Sequence, residues 1–281
     1  MVSMLGKRHA ALLLAPASLL LCVFFLYPLC VVAWKSVYSG GYTLASYASL
    51  FEGPLFAKVL ANTLKVSFIA TLLSTLGGYC LAVHIARQNG ARRLIYLTLV
   101  MVPLWTSVLV KSFSLTVLLG DQGLLNRAIV GLFGEQARIQ MLFNGTGVII
   151  GMINYLLPFT VFPILASLLA VDPLLARAAR LMGAGPIRIF LRITLPLSMP
   201  GVMAATLMAM TLSLGMFVTP ALLGGRQDMM MANLVDLYTR QILDWEGASA
   251  IAMILLALSG AFILLLLKIQ GGAPGQKEPA A

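Results

Sequence analysis

The sequence predicts an all-α protein: a polytopic membrane helix bundle of six transmembrane helices, with a cytoplasmic helical elbow between spans four and five. Three observations carry this. Hydrophobic residues make up 60% of the 281 residues and charged ones only 10%, where a soluble domain has roughly 25% charged. Six runs reach the length of about 20 mainly apolar residues that crosses a bilayer. The formal net charge of +10 sorts to one side of those runs, as membrane orientation requires. Disorder is excluded, because it needs low hydrophobicity. No basic cluster with interleaved aromatics stands outside an apolar context, so the charge does not point to nucleic acid.

The first run, Ala10–Ala33, follows Lys7-Arg8. It exceeds the 7–15 residues of a signal-peptide core, and Val31-Val32-Ala33 is a poor cleavage site. An uncleaved first span with Lys7 and Arg8 in the cytoplasm is expected. The other spans are Thr63–Ala86, Leu94–Leu119, Val148–Ala170, Leu197–Thr219 and Ala248–Leu267. A single transmembrane domain then covers 1–270, and Gly271–Ala281 is a cytoplasmic tail. Cys22, Cys30 and Cys80 lie in apolar runs without metal or disulfide spacing, and read as small core residues.

Charge sets the sidedness. The inside set is Lys7, Arg8, Arg87, Arg92, Arg93, Arg177, Arg180, Arg188, Arg192, Lys268 and Lys277, against Asp172 and Glu278, a net of +9. The outside set is Lys35, Lys58, Lys65, Lys111, Arg127, Arg138, Arg226 and Arg240, against seven acids, a net of +1. The short loops concentrate the first set, so both termini are expected in the cytoplasm of a multi-pass bacterial inner-membrane protein. The long outer loops carry turn signals, Asp121-Gln122-Gly123 and Gly224-Gly225, and should form short re-entrant or surface helices. No internal repeat is evident, which weighs against an inverted-repeat carrier.

The loop Val171–Pro196 is more organised than a connector. Asp172-Pro173 is a helix start, an N-cap followed by proline at the first helical position. Gly183 fits the left-handed residue that ends a helix. Gly185-Pro186 starts a second short helix through about Thr194, and Pro196 precedes the next span. Arg177 with Arg180, and Arg188 with Arg192, have the spacing of shared helix faces. On composition alone the four arginines simply obey the positive-inside rule.

Spacing adds more. Arg177-Ala178-Ala179, three residues, Gly183, nine residues, Ile193, one residue, Leu195-Pro196 resembles the E-A-A-x3-G-x9-I-x-L-P signature of binding-protein-dependent ABC importer permeases of the six-span type. The resemblance implies that this elbow is the coupling helix, seated in a cleft of a separate ATP-hydrolysing subunit. It assigns Asp172, Arg177, Ala178, Ala179, Gly183, Ile193, Leu195 and Pro196 to coupling. Arg177 stands where the family has glutamate, which puts the electrostatics of that contact in question. Val108–Lys111, Leu118–Gly120, Gly123–Asn126, Asn154-Tyr155, Leu157–Phe159 and Leu222–Gly225 look like the spermidine/putrescine branch. The resemblance spans residues 10–268. It implies half of a translocation pathway for a small solute, a polyamine first, with ferric iron, phosphonate, opine or an amino-acid-like compound as alternatives. It also implies a second, homologous permease and a periplasmic solute-binding protein as partners.

No P-loop, no H-E-x-x-H, no paired Cys/His spacing and no nucleophile elbow occurs, and His9 and His84 are isolated. A non-catalytic subunit without cofactor or metal is expected. Within the spans, Lys111 either snorkels outward, if span three ends near Val110, or organises the pathway. Asn154, Tyr155 and Thr160 make span four polar, and Pro158 and Pro163 should bend it. Asn154 and Pro158 share a face that either lines the path or hydrogen-bonds between helices. The acids of the outer loops read as solvated charges or as contacts for a cation or binding protein. A secondary carrier or channel is the rival reading, but it gives the elbow no task.

Overall fold

The computed structural model describes residues 15–38 and 41–271. In chain order its helices are α1 (Ala15–Val37), α2 (Ala45–Glu52), α3 (Pro54–Ala86), α4 (Gly90–Trp105), α5 (Val108–Leu119), α6 (Leu124–Phe133), α7 (Gly145–Ala170), α8 (Pro173–Leu181), α9 (Pro186–Leu214), α10 (Val218–Leu223), α11 (Met231–Leu237) and α12 (Trp245–Gly271). Among the described residues there are no strands, only an isolated bridge between Tyr38 and Tyr42. Six stretches are long and apolar enough to cross a membrane: Ala15–Val37, Pro54–Ala86, Val108–Phe133, Gly145–Ala170, Pro186–Leu214 and Trp245–Lys268. The all-α, six-span fold class therefore stands. Lys7, Arg8, His9, the expected start of the first span at Ala10, and the tail from residue 272 lie outside the described residues.

Two expected spans differ from what is found. The stretch Leu94–Leu119 is two helices, because the chain runs extended through Thr106 and Ser107. Pro103 removes one N–H from the last turn of α4 and crowds the carbonyl four residues back. At the helix end Thr106 Oγ1 donates to the Val102 carbonyl at 3.4 Å. The fifth span, expected at Leu197–Thr219, begins at Pro186 and ends at Leu214. The second elbow helix is thus the start of α9. Pro196 does not interrupt it, because a π-turn at Phe190–Thr194 widens the helix just before the proline.

The chain forms two compact units. One takes the chain up to Ala57 together with Leu234–Leu256. In it, Tyr47 donates its hydroxyl to Ser36 Oγ at 2.9 Å, and Ser36 donates to the Ala33 carbonyl at 2.7 Å, tying α2 to the end of α1. Trp34, Tyr38 and Tyr42 form an aromatic cluster, and the Lys35 ammonium lies 5.4 Å from the Trp245 ring centroid. Asp244 Oδ1 accepts from Gly247 N at 2.9 Å and so caps the first turn of α12.

The other unit takes Lys58–Asn233 and the chain from Ala257. Its core is built by α3, α7 and α9. One cluster joins Val66, Ala70, Val148, Met152, Leu156 and Ala209, and another joins Ala82, Ile85, Val161, Ile164, Leu165 and Ala205. Small residues allow the helices to approach, as membrane packing requires. A side chain at Gly78 would collide with Thr160, and one at Gly201 would collide with Ser167 and the Pro163 carbonyl. The segment after α5 is organised by buried Asn126. Its amide donates to the carbonyls of Gly120 at 3.2 Å and Ile139 at 2.9 Å, and its oxygen accepts from Ile139 N at 3.1 Å.

Candidate functional site: the elbow and the membrane interior

The elbow is made by local chemistry. Asp172 Oδ1 accepts from Leu174 N at 2.8 Å, and Pro173 starts α8. At the other end Gly183 has φ +80°. Its N–H bonds to the Arg180 carbonyl at 3.0 Å, and the Ala184 N–H bonds to the Ala179 carbonyl at 3.0 Å. These two bonds form a Schellman motif, which needs the left-handed residue that glycine supplies without strain. Gly185 and Pro186 then turn the chain into α9.

The helix has two faces, and they divide the signature residues. Leu174, Arg177, Ala178 and Leu181, at positions i, i+3, i+4 and i+7, are exposed, Leu181 by 91%. Met182, Ile187 and Leu191 are exposed beside them. Ala179 is buried, and Ala176 and Arg180 turn toward a groove that also meets Asp172, Ala184 and Ile193. The two alanines therefore serve different surfaces, which spacing alone did not distinguish. Arg177 and Arg180 likewise divide between the two faces, while Arg188 and Arg192 share one shallow groove with Ile187 and Leu191. Leu195 and Pro196 lie in the first turn of α9 beyond the π-turn.

Near the start of α5, Lys111 comes together with Tyr155 of α7 across 44 residues of sequence. The Lys111 ammonium lies 5.2 Å from the Tyr155 ring centroid, a cation–π arrangement. Lys111 is half-buried near the start of α5, and Tyr155 packs on the core of α7 beside Phe159. Asn154 is exposed and, with Pro158, faces an apolar groove shared by His84, Tyr96 and Pro103. Thr160 lies elsewhere. It is fully buried and its hydroxyl meets the Ser74 carbonyl on α3 at 2.9 Å and the Leu157 carbonyl at 2.8 Å. That places it in the α3–α7 seam, away from any accessible surface of this chain.

Several loop acids make contacts that sequence reading did not assign. Asp228 Oδ2 accepts from Gly225 N at 3.0 Å, and Asp236 pairs with Arg240 at 2.7 Å. Asp121 and Glu246 make no such contact among the described residues. Asn126, in the first turn of α6, is the residue missed as an organiser; its burial between two carbonyls leaves no periodic signal. No group of three or more His, Cys, Asp or Glu able to hold a metal occurs among the described residues.

Comparison with known proteins adds an independent line. A family model described as "Binding-protein-dependent transport system inner membrane component" matches residues 54–270. The "Spermidine/putrescine transport system permease protein PotB" of Escherichia coli (strain K12) is 34% identical over 224 residues, covering 80% of this chain and 81% of that protein. The protein of the same name from Haemophilus influenzae (strain ATCC 51907 / DSM 11121 / KW20 / Rd) is 33% identical over 231 residues, covering 82% and 80%. Among solved structures, a bacterial alginate ABC transporter in complex with an alginate pentasaccharide-bound periplasmic protein matches with TM-score 0.80 at 19% identity. That match covers 94% of each chain.

Proposed function

Because this chain belongs to the binding-protein-dependent transport system inner membrane components, we propose that it forms half of the translocation pathway of an ATP-driven polyamine importer. The observation that carries the solute assignment is the 33–34% identity, over about four fifths of the chain, to permeases named for spermidine and putrescine. A periplasmic binding protein delivers the solute to the outer loops. A second, homologous permease supplies the other half of the path. Both termini lie in the cytoplasm of an inner membrane.

The elbow is the coupling element, and ATP is hydrolysed on a separate subunit. The exposed stripe Leu174, Arg177, Ala178 and Leu181 has the i, i+3, i+4, i+7 pattern by which an amphipathic helix enters an apolar groove. Asp172, Gly183 and Ile193 set the angle and backing of that stripe, and Leu195 and Pro196 carry its movement into α9. Arg177, in the place of the family's glutamate, meets an acidic group on its ATPase. ATP binding moves the elbow, and rigid-body motion of the spans switches access from one side to the other.

Lys111 and Tyr155 supply the chemistry on the path. The Lys111 ammonium lies over the Tyr155 ring; being a cation, it organises the path and does not itself bind a polyamine. Asn154 and Pro158 lie on the neighbouring face of α7. The test is uptake of radiolabelled putrescine and spermidine in a strain lacking this chain and complemented with it. Loss of uptake on deletion and its return on complementation is expected. Undiminished uptake of both, in a strain without a second polyamine importer, overturns the solute assignment.

A further inference from the structure

The inner face of the elbow, opposite the stripe that meets the ATPase, encloses a groove of about 580 Å³. It lies where three spans end: α3 at Ala86, α7 at Ala170 and α9 at Pro186. Its walls are apolar, with Val83, Leu168, Ile189 and Phe190 among them. Two arginines, Arg87 and Arg180, also line it. Neither has a carboxylate within salt-bridge distance among the described residues. The one acid in the lining, Asp172, is committed to the Leu174 N–H as helix cap. Arg180 Nε donates to the Ala176 carbonyl at 3.3 Å. A largely apolar trough lined by two arginines without a carboxylate partner and by one acid fits an amphiphile with an anionic head.

We propose that this groove binds an anionic phospholipid of the inner leaflet, its phosphate held by Arg87 and Arg180 and the upper part of an acyl chain laid along Leu168 and Phe190. The inference rests on the cytoplasmic placement of the elbow given above. Three physical points support it. Arginine matches phosphate with a planar fork of donors. Basic pockets between membrane helices on the cytoplasmic side take acidic lipid head groups, and each basic side chain near that surface contributes about 1 kcal/mol. The groove opens at span ends, where head groups lie, and not along the exposed stripe. A lipid seated there would brace α8 against the ends of α3 and α9, so the head-group composition of the membrane would set how stiffly the elbow transmits motion.

The experiment uses the whole transporter, with its ATPase and both permeases, in phosphatidylcholine nanodiscs with graded phosphatidylglycerol, and counts retained lipid by native mass spectrometry. Saturable retention of phosphatidylglycerol over phosphatidylcholine is expected. It should weaken about thirtyfold in Arg87→Gln/Arg180→Gln and stay near wild type in the charge-matched Arg188→Gln/Arg192→Gln. Equal weakening in both double variants, or no preference for phosphatidylglycerol, overturns the proposal. Inorganic phosphate tested alone should bind weakly. If it displaces phosphatidylglycerol completely at millimolar concentration, the site is for free phosphate and the lipid assignment fails. Should the double variant not assemble, Arg180→Gln alone, on exposed α8, should weaken retention about fivefold, and unchanged retention overturns the proposal. ATP hydrolysis stimulated by binding protein is read on the same samples. Its presence with no lipid preference removes the lipid site alone, whereas its absence in wild type removes the importer reading.

Discussion

α1 and α7 are both apolar enough to cross a membrane, yet they are built on opposite plans. In α1 every described residue except Ser36, near its end, is at least partly exposed, and Leu19, Leu20, Phe24 and Phe25 point outward. In α7 eleven of 26 residues are buried, and they include Gly147, Gly151, Pro158 and Thr160 beside Leu156 and Ile164. The large apolar side chains of α1 need no protein partner, because lipid tails are as apolar as leucine. The small and polar residues of α7 do need partners, since their value lies in close approach and in hydrogen bonds such as that from Thr160 to Ser74. In α7 small and polar residues are buried among large apolar ones such as Met152, Leu156 and Ile164, whereas the exposed surface of α1 is almost entirely large and apolar.

The largest effect is expected where that plan is tightest. Gly78 of α3 sits against Thr160 of α7 with no room for a side chain. Gly78→Leu must separate the two helices and break the Thr160–Ser74 bond, a loss of about 3 kcal/mol or more. Leu156→Ala, in the same core, should lose about 2–5 kcal/mol through the cavity it leaves. Denaturation of the purified complex in mixed SDS micelles measures both. A Gly78→Leu complex as stable as wild type would mean that the α3–α7 seam does not hold this unit together.

A smaller and more local effect is expected at Gly183. Its φ of +80° lies in the region L side chains avoid, while nothing crowds the space where a Cβ would go. Gly183→Ala should therefore cost about 1 kcal/mol through conformation alone. Gly183→Asp adds a charge beside the exposed Met182 and should abolish transport while the complex still inserts. Binding-protein-stimulated ATP hydrolysis and uptake, measured against the amount of complex in the membrane, separate the two. Wild-type transport by Gly183→Asp would contradict the coupling role of the elbow.

The elbow's ends were legible in the sequence because they depend on neighbours: Asp172 reaches two residues on, Pro173 fixes its own φ, and Gly183 needs only its own backbone. Its second half was not legible. Pro196 reads as a boundary, but the π-turn at Phe190–Thr194 absorbs it and leaves no local mark. Hydropathy also ran straight across the break at Thr106-Ser107, because it counts apolar side chains and not backbone bonds. Thr160 and Lys111 were both singled out as polar groups in apolar runs. Which of them is sealed between helices, and which lies over the Tyr155 ring, depends on contacts far apart in sequence.

The smallest effect sharpens the comparison most. Leu20 on α1 is 58% exposed and Leu156 on α7 is fully buried, so the same change, leucine to alanine, tests the two plans directly. In water, removing an exposed leucine would alter the solvated apolar area. In a bilayer the lost methyl groups are replaced by lipid tails that fill the space, leaving neither a cavity nor a new water interface. Leu20→Ala should therefore fall within about ±0.5 kcal/mol of wild type in the same SDS titration, several-fold below Leu156→Ala. A loss as large as that of Leu156→Ala would mean that α1 is covered by protein in the assembled complex and that its outward leucines belong to an interface.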